Sequence, residues 1–254
     1  MGSSSPPSEH DRELARAFDE QAAQFELTKV ANDQVALARL VAFADLPADS
    51  LVADAGCGPG LISAAFLAAG HRVRGFDLSA EMVARARARN ASFGDRAVFE
   101  QGSIFDVVGP FDAVVSRFVI HHVSDASAFI RHQASLLRPG GVLVASDMTT
   151  DLDSTKARWH RDVEWRRDKT HTKNLTTGEM VDGFVAAGLA GIRLQEEPFS
   201  LEFDEWFDRG TPADSKPNVR ALLVSGSARG FAPSELPEGG IRIDCIRALV
   251  RGTR

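Results

Sequence analysis

Residues 54–60 read DAGCGPG and stand between the apolar runs 51–53 and 61–66. The three glycines, at positions 56, 58 and 60, therefore follow a predicted buried strand and precede a predicted helix. Glycine lets the backbone turn sharply and approach a ligand closely. The stretch predicts a ligand-binding loop at the end of the first strand of a sheet.

The segments downstream of this loop alternate between strand and helix patterns. The predicted strands are Leu51–Ala55, Arg72–Phe76, Ala97–Gln101, Phe111–Ser116 and Val142–Ser146, and two more are Ile192–Leu201 and Ile241–Val250, separated by a helical excursion and a loop over Pro233–Gly240. The predicted helices are Leu61–Ala69, Ala80–Asn90 (with Ser79 as its cap), Ala126–Leu137 and Thr177–Ala187. This alternation predicts the α/β class, with a doubly wound, seven-stranded, mostly parallel sheet.

The pattern predicts one domain, residues 9–254, behind a flexible tail of residues 1–8. Two helical segments in residues 9–46, the second over Val30–Phe43, are predicted to cap the sheet. Residues 148–175 are polar and rich in Trp, His and Arg. We expect them to form a helical insertion after strand five that acts as a substrate lid.

Composition narrows the function classes. The 254 residues carry a net charge of −6, which argues against a nucleic-acid binder because such proteins usually show a basic surplus. No stretch approaches 18 consecutive apolar residues, so a membrane span is not expected. The two cysteines, Cys57 and Cys245, have neither paired nor metal-type spacing. They predict a cytoplasmic protein with no disulfide and no metal site.

Two cofactor classes use a glycine-rich loop of this kind, dinucleotides and S-adenosylmethionine, and in both Asp77 could accept the ribose hydroxyls. The dinucleotide fingerprint G-x-G-x-x-G requires glycine at position 61, where this chain has Leu61. A pyrophosphate also favours the bare positive end of a helix, whereas a ligand with an ammonium and a sulfonium favours a nearby carboxylate such as Asp54. The spacing therefore favours S-adenosylmethionine.

Four ordered motifs strengthen this interpretation: DAGCGPG, FDLSAEMV (76–83), FDAVVSRFVIHHV (111–123) and LLRPGGVLVASD (136–147). Together they resemble the class I S-adenosylmethionine-dependent methyltransferases, in particular the ubiquinone/menaquinone C-methyltransferase-like group. The resemblance covers residues 14–150 well and the last two predicted strands more loosely. It implies a Rossmann-like fold, S-adenosyl-L-methionine as cofactor and S-adenosyl-L-homocysteine as its product.

The resemblance also implies, by position, a set of cofactor contacts. They are Asp54, Gly56 and Gly58 at the amino-acid moiety and sulfonium, Gly60 at the start of the helix, Asp77 at the ribose, Leu78 and Met82 beside the adenine, and Ser116 at the end of strand four. Relatives usually have Gly-Asp after strand three, and here Ser103 and Ile104 follow Gly102. The adenine contact then rests on a hydroxyl without a full charge. Phe25 either covers the cofactor or packs in the core.

Methyl transfer requires aligned reactants, and a phenol or an enolisable carbon also requires a base. The chain has no tyrosine, so histidines and carboxylates are the candidates. We predict His122 and His171 as catalytic, with Asp168 orienting His171 as a carboxylate orients an imidazole in other enzymes. The expected substrate contacts are His121, Glu164 and Arg167. The alternatives are a hydrogen-bonded structural histidine pair and a salt-bridged helix end.

The other histidines and the large aromatic residues carry weaker signals. His10, His71, His132 and His160 have no catalytic context and are expected at the surface. Trp159, Trp165, Trp206 and Phe207 either wall an aromatic acceptor or belong to the core.

The leading hypothesis is an enzyme that methylates carbon or oxygen of a small molecule, in bacterial quinone or specialised metabolism. Three alternatives remain at this point: a non-methylating cyclase or dehydratase on the same fold, a non-catalytic S-adenosylmethionine-binding protein and an NAD(P)-dependent oxidoreductase. The expected partner is a small-molecule acceptor, with a homodimer as an open alternative.

Overall fold

A computed structural model of the chain describes residues 8–25, 28–237 and 239–254. Within these residues the strands, numbered in chain order, are β1 (Leu51–Ala55), β2 (Arg72–Asp77), β3 (Ala97–Gln101), β4 (Phe111–Arg117), β5 (Leu137–Met148), β6 (Ala190–Glu202), β7 (Phe231–Glu235) and β8 (Ile241–Thr253). The α-helices are α1 (Glu9–Phe25), α2 (Gln34–Ala44), α3 (Leu61–Ala68), α4 (Ala80–Asn90), α5 (Ala126–Ser135), α6 (Ser154–Arg167), α7 (Thr177–Ala186), α8 (Phe203–Asp208) and α9 (Lys216–Val224).

All the strands belong to one sheet, in the order β3-β2-β1-β4-β5-β8-β6, with β7 paired to β8. The pairs from β3 to β5 are parallel, and β8 runs antiparallel to its neighbours. The predicted fold class, a doubly wound and mostly parallel α/β sheet, is confirmed.

Alternate residues of the central strands supply two cores, one on each face. Ala53 and Val114 pack with residues of α5 and α7, whereas Val52 and Val115 pack with residues of α2 and α3. Because both faces are covered, these strands consist of nearly continuous apolar residues. The sequence pattern of short apolar runs follows from that packing.

Some details differ from the sequence prediction. The predicted loop Pro233–Gly240 begins with a strand, because β8 extends past β5 and its first residues pair with β7. Pro233 is tolerated there because β7 pairs only with β8 and is therefore an edge strand. The second helix begins at Gln34 and not near Val30, since the Asp33 carboxylate accepts from the Ala36 amide and caps it.

The predicted insertion after strand five contains α6. Its Val163 packs with Trp206 of α8, Val219 of α9 and Phe231 of β7 in a third apolar cluster. This cluster holds α6 beside the carboxyl ends of the parallel strands. Among the described residues no helix is both long and apolar enough to cross a membrane.

Candidate active site

The loop between β1 and α3 holds its glycines in left-handed backbone, with φ of +71° at Gly56, +51° at Gly58 and +77° at Gly60. Residues with a side chain rarely adopt such angles. Space is also restricted at Gly60, where an added Cβ would lie 2.5 Å from Asn90 Nδ2 and 3.0 Å from Ala86 Cα. Gly60 precedes the first residue of α3 and lets that helix end approach α4.

Asp77, the last residue of β2, fixes this loop from the side. Its carboxylate accepts hydrogen bonds from the backbone amides of Gly58 (2.8 Å) and Ser79 (2.9 Å). Burial raises the pKa of Asp77, and these bonds oppose the increase. A carboxylate offers about four acceptor positions, so acceptor capacity remains for the hydroxyl groups of a ligand.

A cavity of about 1240 Å³, including its open mouth, lies beside the loop, and we call it the glycine-loop cavity. Most of the predicted cofactor-binding residues line it: Phe25, Gly56, Gly58, Asp77, Leu78, Met82, Ser103 and Ile104. Phe18, Phe105 and Phe118 line it as well, although no sequence motif predicted them as site residues. The predicted residues Asp54, Gly60 and Ser116 are not part of its lining.

Asp54 of β1 and Ser116 of β4 are buried, and the ligand contact predicted for them stays a prediction. Asp54 is fully buried and its Oδ2 accepts a 2.5 Å hydrogen bond from Ser63 Oγ. Its Oδ1 and Ser116 Oγ have no hydrogen-bond partner within the described part of the chain. Burial raises the pKa of Asp54 to about 7, although the bond from Ser63 lowers it.

A second cavity, which we call the histidine cavity, encloses about 630 Å³ including its opening. Its lining contains all the residues predicted for catalysis or substrate contact: His121, His122, Glu164, Arg167, Asp168 and His171. The structure therefore brings the loop after β4 and the insertion together. Four side chains line both cavities, so the two cavities adjoin: Phe18, Phe25, Phe118 and His122.

The predicted pairing of Asp168 with His171 is wrong. The Asp168 carboxylate accepts from the amide (3.1 Å) and hydroxyl (2.7 Å) of Thr170 and from Arg167 Nη1 (3.2 Å). These neighbours occupy it within a tight turn, and neither ring nitrogen of His171 has a hydrogen-bond partner among the described residues. Burial lowers the pKa of His171 to about 3, outweighing the opposite influence of Glu164.

The histidine that does have a carboxylate partner is His121. Its Nδ1 lies 2.5 Å from Asp147 Oδ1, and its backbone amide donates to Asp147 Oδ2 (3.3 Å). Burial lowers the pKa of His121, but the charge and hydrogen bond of Asp147 outweigh it, so that the pKa is raised. Asp147, at the end of β5 and 2% exposed, was not among the predicted site residues.

His122 lies at the boundary between the cavities. Its Nδ1 is 3.3 Å from the Thr170 carbonyl oxygen and 3.2 Å from Thr170 Oγ1, and the ring of Phe18 packs edge-on against it with centroids 5.0 Å apart. Burial, together with the nearby imidazoles of His121 and His171, lowers the pKa of His122 well below its usual value. The ring is therefore neutral at physiological pH.

His160, expected at the surface, is fully buried behind the histidine cavity. Its Nδ1 bonds Thr150 Oγ1 (3.0 Å), and its Nε2 lies 3.1 Å from Asn174 Nδ2 and 3.7 Å from Glu164 Oε1. Burial raises the pKa of Glu164, but His160 and the cations around it outweigh this and lower it to about 2. His71 is also buried, at the opposite, amino-terminal edge of the sheet.

The large aromatic residues divide between the two expected roles. Trp206 lines the histidine cavity, and Phe207 packs in the third apolar cluster. Trp159 donates from Nε1 to the Leu222 carbonyl oxygen and contacts the same cluster. Trp165 is 48% exposed and lines neither cavity.

The sequence matches a known family and several relatives. The profile of a family described as "Methyltransferase domain" covers residues 14–194. The uncharacterized methyltransferase YcgJ of Bacillus subtilis is 27% identical over 241 residues, which is 92% of this chain and 95% of YcgJ. A ubiquinone biosynthesis O-methyltransferase of Xanthomonas axonopodis is 39% identical over 106 residues, 40% of this chain and 44% of that enzyme.

Solved structures give the same fold. The crystal structure of YcgJ has a TM-score of 0.78 at 26% identity and covers 86% of this chain and 97% of that one. The geranyl diphosphate C-methyltransferase of Streptomyces coelicolor, solved with S-adenosyl-L-homocysteine, has a TM-score of 0.66 at 14% identity and covers 98% of this chain and all of that one. The second likeness concerns the fold alone.

The glycine-loop cavity fits the cofactor of this family. Leu78, Met82 and Ile104 offer apolar surface to an adenine, and Asp77 offers acceptors to ribose hydroxyls. Gly56 and Gly58 of the glycine loop belong to the same lining. The free oxygen of buried Asp54 lies behind that loop, where a cationic ligand would stabilise its charge. On its sequence, its fold and this cavity, the chain belongs to the class I S-adenosylmethionine-dependent methyltransferases.

Proposed function

We propose that this enzyme methylates carbon or oxygen of a small-molecule acceptor bound in the histidine cavity. Methyl transfer is an in-line displacement, so the donor and acceptor sites must adjoin. The shared lining of Phe18, Phe25, Phe118 and His122 supports this arrangement. The bound cofactor would supply an electrophilic methyl group, held by the residues of the glycine-loop cavity.

The observation that carries the proposal is the pair His121–Asp147, which suits an acceptor that loses a proton on methylation. Asp147 holds Nδ1 of His121, which leaves Nε2 to accept the acceptor's proton. The raised pKa of His121 makes it a stronger base than His122 or His171, whose pKa values burial lowers. We therefore propose His121 as the base, Asp147 as its positioning residue, and His122 and His171 as acceptor contacts.

Glu164 and Arg167 complete the polar lining on the side of α6. Glu164 is an ionised, buried carboxylate, and Arg167 is held by Asp168 and by the Trp206 carbonyl oxygen. Both can orient an acceptor by hydrogen bonds. A role in quinone or specialised metabolism and a cytoplasmic location belong to the same proposal, supported by the likeness to a ubiquinone biosynthesis O-methyltransferase and by the unpaired, buried cysteines.

The test is transfer of a labelled methyl group. The protein is incubated with methyl-labelled S-adenosylmethionine and a panel of phenols, quinols and 1,3-dicarbonyl compounds, and label in the acceptor is measured. We expect transfer to at least one of them, and a loss of about 10²-fold or more in His121→Gln. His71→Gln, a buried histidine at the other edge of the sheet, is the matched control and should retain activity.

Two results would count against the proposal. A second panel of amines and thiols is run in parallel. Label found only on these acceptors, with His121→Gln fully active, would exclude a proton-accepting role for His121. Conversion of a substrate without any transfer of label would favour the alternative of a cyclase or dehydratase that keeps the cofactor intact.

A further inference from the structure

Arg209, the residue after α8, lies at the end of the histidine cavity away from the glycine loop. It lines the histidine cavity and also a smaller outer cavity of about 280 Å³, whose lining includes Lys29 and Glu205. Val30 and Trp206 line both cavities too, whereas Arg209 does not line the glycine-loop cavity. Arg209 therefore lies at the passage from the acceptor site to the outside.

The guanidinium of Arg209 has no hydrogen bond or ion pair with any atom of residues 8–25, 28–237 and 239–254. The other arginines nearby are partnered: Arg167 donates to Trp206 O (2.8 Å) and Asp168 (3.2 Å), and Arg247 pairs with Glu197 (2.7 Å). Burial lowers the pKa of Arg209 to about 10 and the charge of Arg167 adds to this effect, whereas the charges of Glu164 and Glu205 oppose it. Arg209 is half-buried, and a partly desolvated cation without a hydrogen-bond partner would gain free energy from a ligand anion.

Two arginines, Arg167 and Arg209, and two carboxylates, Glu164 and Asp168, line the histidine cavity. Asp168 balances Arg167, and Asp147 balances His121 when that imidazole is protonated. Glu164 lies 3.7 Å from His160 and interacts with several cations at once. Because Glu164 and Asp168 lie in the same lining as Arg209, a ligand with one negative charge suits the site better than a dianion such as a phosphate.

We propose that Arg209 binds a carboxylate of the acceptor, at the end of the cavity opposite the atom that is methylated. This inference rests on the proposed function, because it assigns the acceptor to the histidine cavity. The planar fork of a guanidinium matches the two oxygens of a carboxylate. The rings of Phe118, Phe199 and Trp206 line the space between, so the class of acceptor is an aromatic or unsaturated carboxylic acid.

The test compares 2-naphthoate with its uncharged analogue 2-naphthamide, titrated by calorimetry into the full-length protein saturated with S-adenosyl-L-homocysteine. We expect 2-naphthoate to bind wild type at least tenfold more tightly than 2-naphthamide. Arg209→Met should remove this preference, and Arg209→Lys, which keeps the charge without the fork, should retain part of it. Arg161→Met, at an exposed position of α6, is the matched control and should bind both as wild type does.

Equal affinities of wild type for the two compounds, including no binding of either, would overturn the inference. A preference for 2-naphthoate that persists in Arg209→Met would also overturn it. The same holds if Arg209→Met binds neither ligand and Arg209→Lys binds 2-naphthamide as wild type does but shows no preference for 2-naphthoate. Binding of S-adenosyl-L-homocysteine is measured first in every variant. If wild type binds S-adenosyl-L-homocysteine but shows no preference for 2-naphthoate, only this inference is contradicted. If wild type does not bind S-adenosyl-L-homocysteine, the proposed function is contradicted.

Discussion

Asp147→Asn tests the role given to His121 most sharply. The change keeps the size of the side chain and removes the charge that lies 2.5 Å from His121 Nδ1. A hydrogen bond to a charged group contributes about 1.5–3 kcal/mol, and about 1.4 kcal/mol corresponds to a tenfold change in rate. Turnover should therefore fall about 10- to 150-fold, while cofactor affinity stays near that of wild type because Asp147 does not line the glycine-loop cavity.

The pH dependence of turnover gives a second, independent signature. His121 must be neutral to accept a proton, and its pKa in the protein is raised above 6.5 because Asp147 outweighs burial. Wild-type turnover should rise with pH through a pKa above 6.5 and then level off. In Asp147→Asn only the charges of Glu164 and Asp168 still oppose the effect of burial on the pKa of His121, so the inflection should move to a lower pH.

Nuclear magnetic resonance of ¹⁵N-labelled histidines, in the complex with S-adenosyl-L-homocysteine, measures the pKa of His121 without any acceptor. Turnover is measured by transfer of a labelled methyl group, with Asp182→Asn, at an exposed position of α7, as the control for the same chemical change. Wild-type turnover in Asp147→Asn, or a His121 pKa that does not decrease, would refute the reasoning.

Two further predictions concern the cofactor loop. Gly60→Ala should lower the melting temperature more than Gly70→Ala does. Both positions have positive φ, but of the two only Gly60 has atoms within 3.0 Å of the new Cβ. Equal melting temperatures of the two variants would show that the contact with α4 relaxes freely. Asp77→Asn should weaken S-adenosyl-L-homocysteine binding about tenfold or more in calorimetry. The fold should be retained, since the amide oxygen can still accept from the Gly58 or the Ser79 amide. An affinity within twofold of wild type would place the ribose elsewhere.

Much of the site follows from the sequence because parallel strands end at one edge of the sheet. Gly56, Gly58 and Asp77 follow β1 or end β2, and strand pairing alone brings them together. The same rule places His121 near that edge, after β4. The insertion comes to the same place because it follows β5, the neighbour of β4.

Other parts of the site depend on pairings that spacing does not reveal. Asp147 contacts His121 because Arg117 of β4 pairs with Ser146 of β5, a register that the sequence pattern leaves undetermined. Asp168 turns away from His171 because the amide and hydroxyl of Thr170 compete for it locally. The available sequence signal for Asp147 was its place at the end of β5, because β5 is the neighbour of β4, the strand that precedes the two histidines.

Two cavity residues contributed by helices, Phe18 and Arg209, were not predicted from the sequence. Phe18 comes from α1 and Arg209 from the end of α8, and each reaches the site only through helix packing around the sheet. Phe18 has the spacing of an ordinary apolar helix position, which is how the sequence presents it. Burial of His160 beneath Phe231, with ring centroids 4.1 Å apart, is likewise a tertiary effect.

The central claim is that the donor and acceptor sites are the two adjoining cavities, and a crystal structure with S-adenosyl-L-homocysteine tests it most directly. We expect the ligand in the glycine-loop cavity, with its ribose at Asp77 and its sulfur at the boundary formed by Phe18, Phe25, Phe118 and His122. A sulfur atom that faces away from this boundary, or a ligand whose amino-acid tail fills the histidine cavity, would contradict the account.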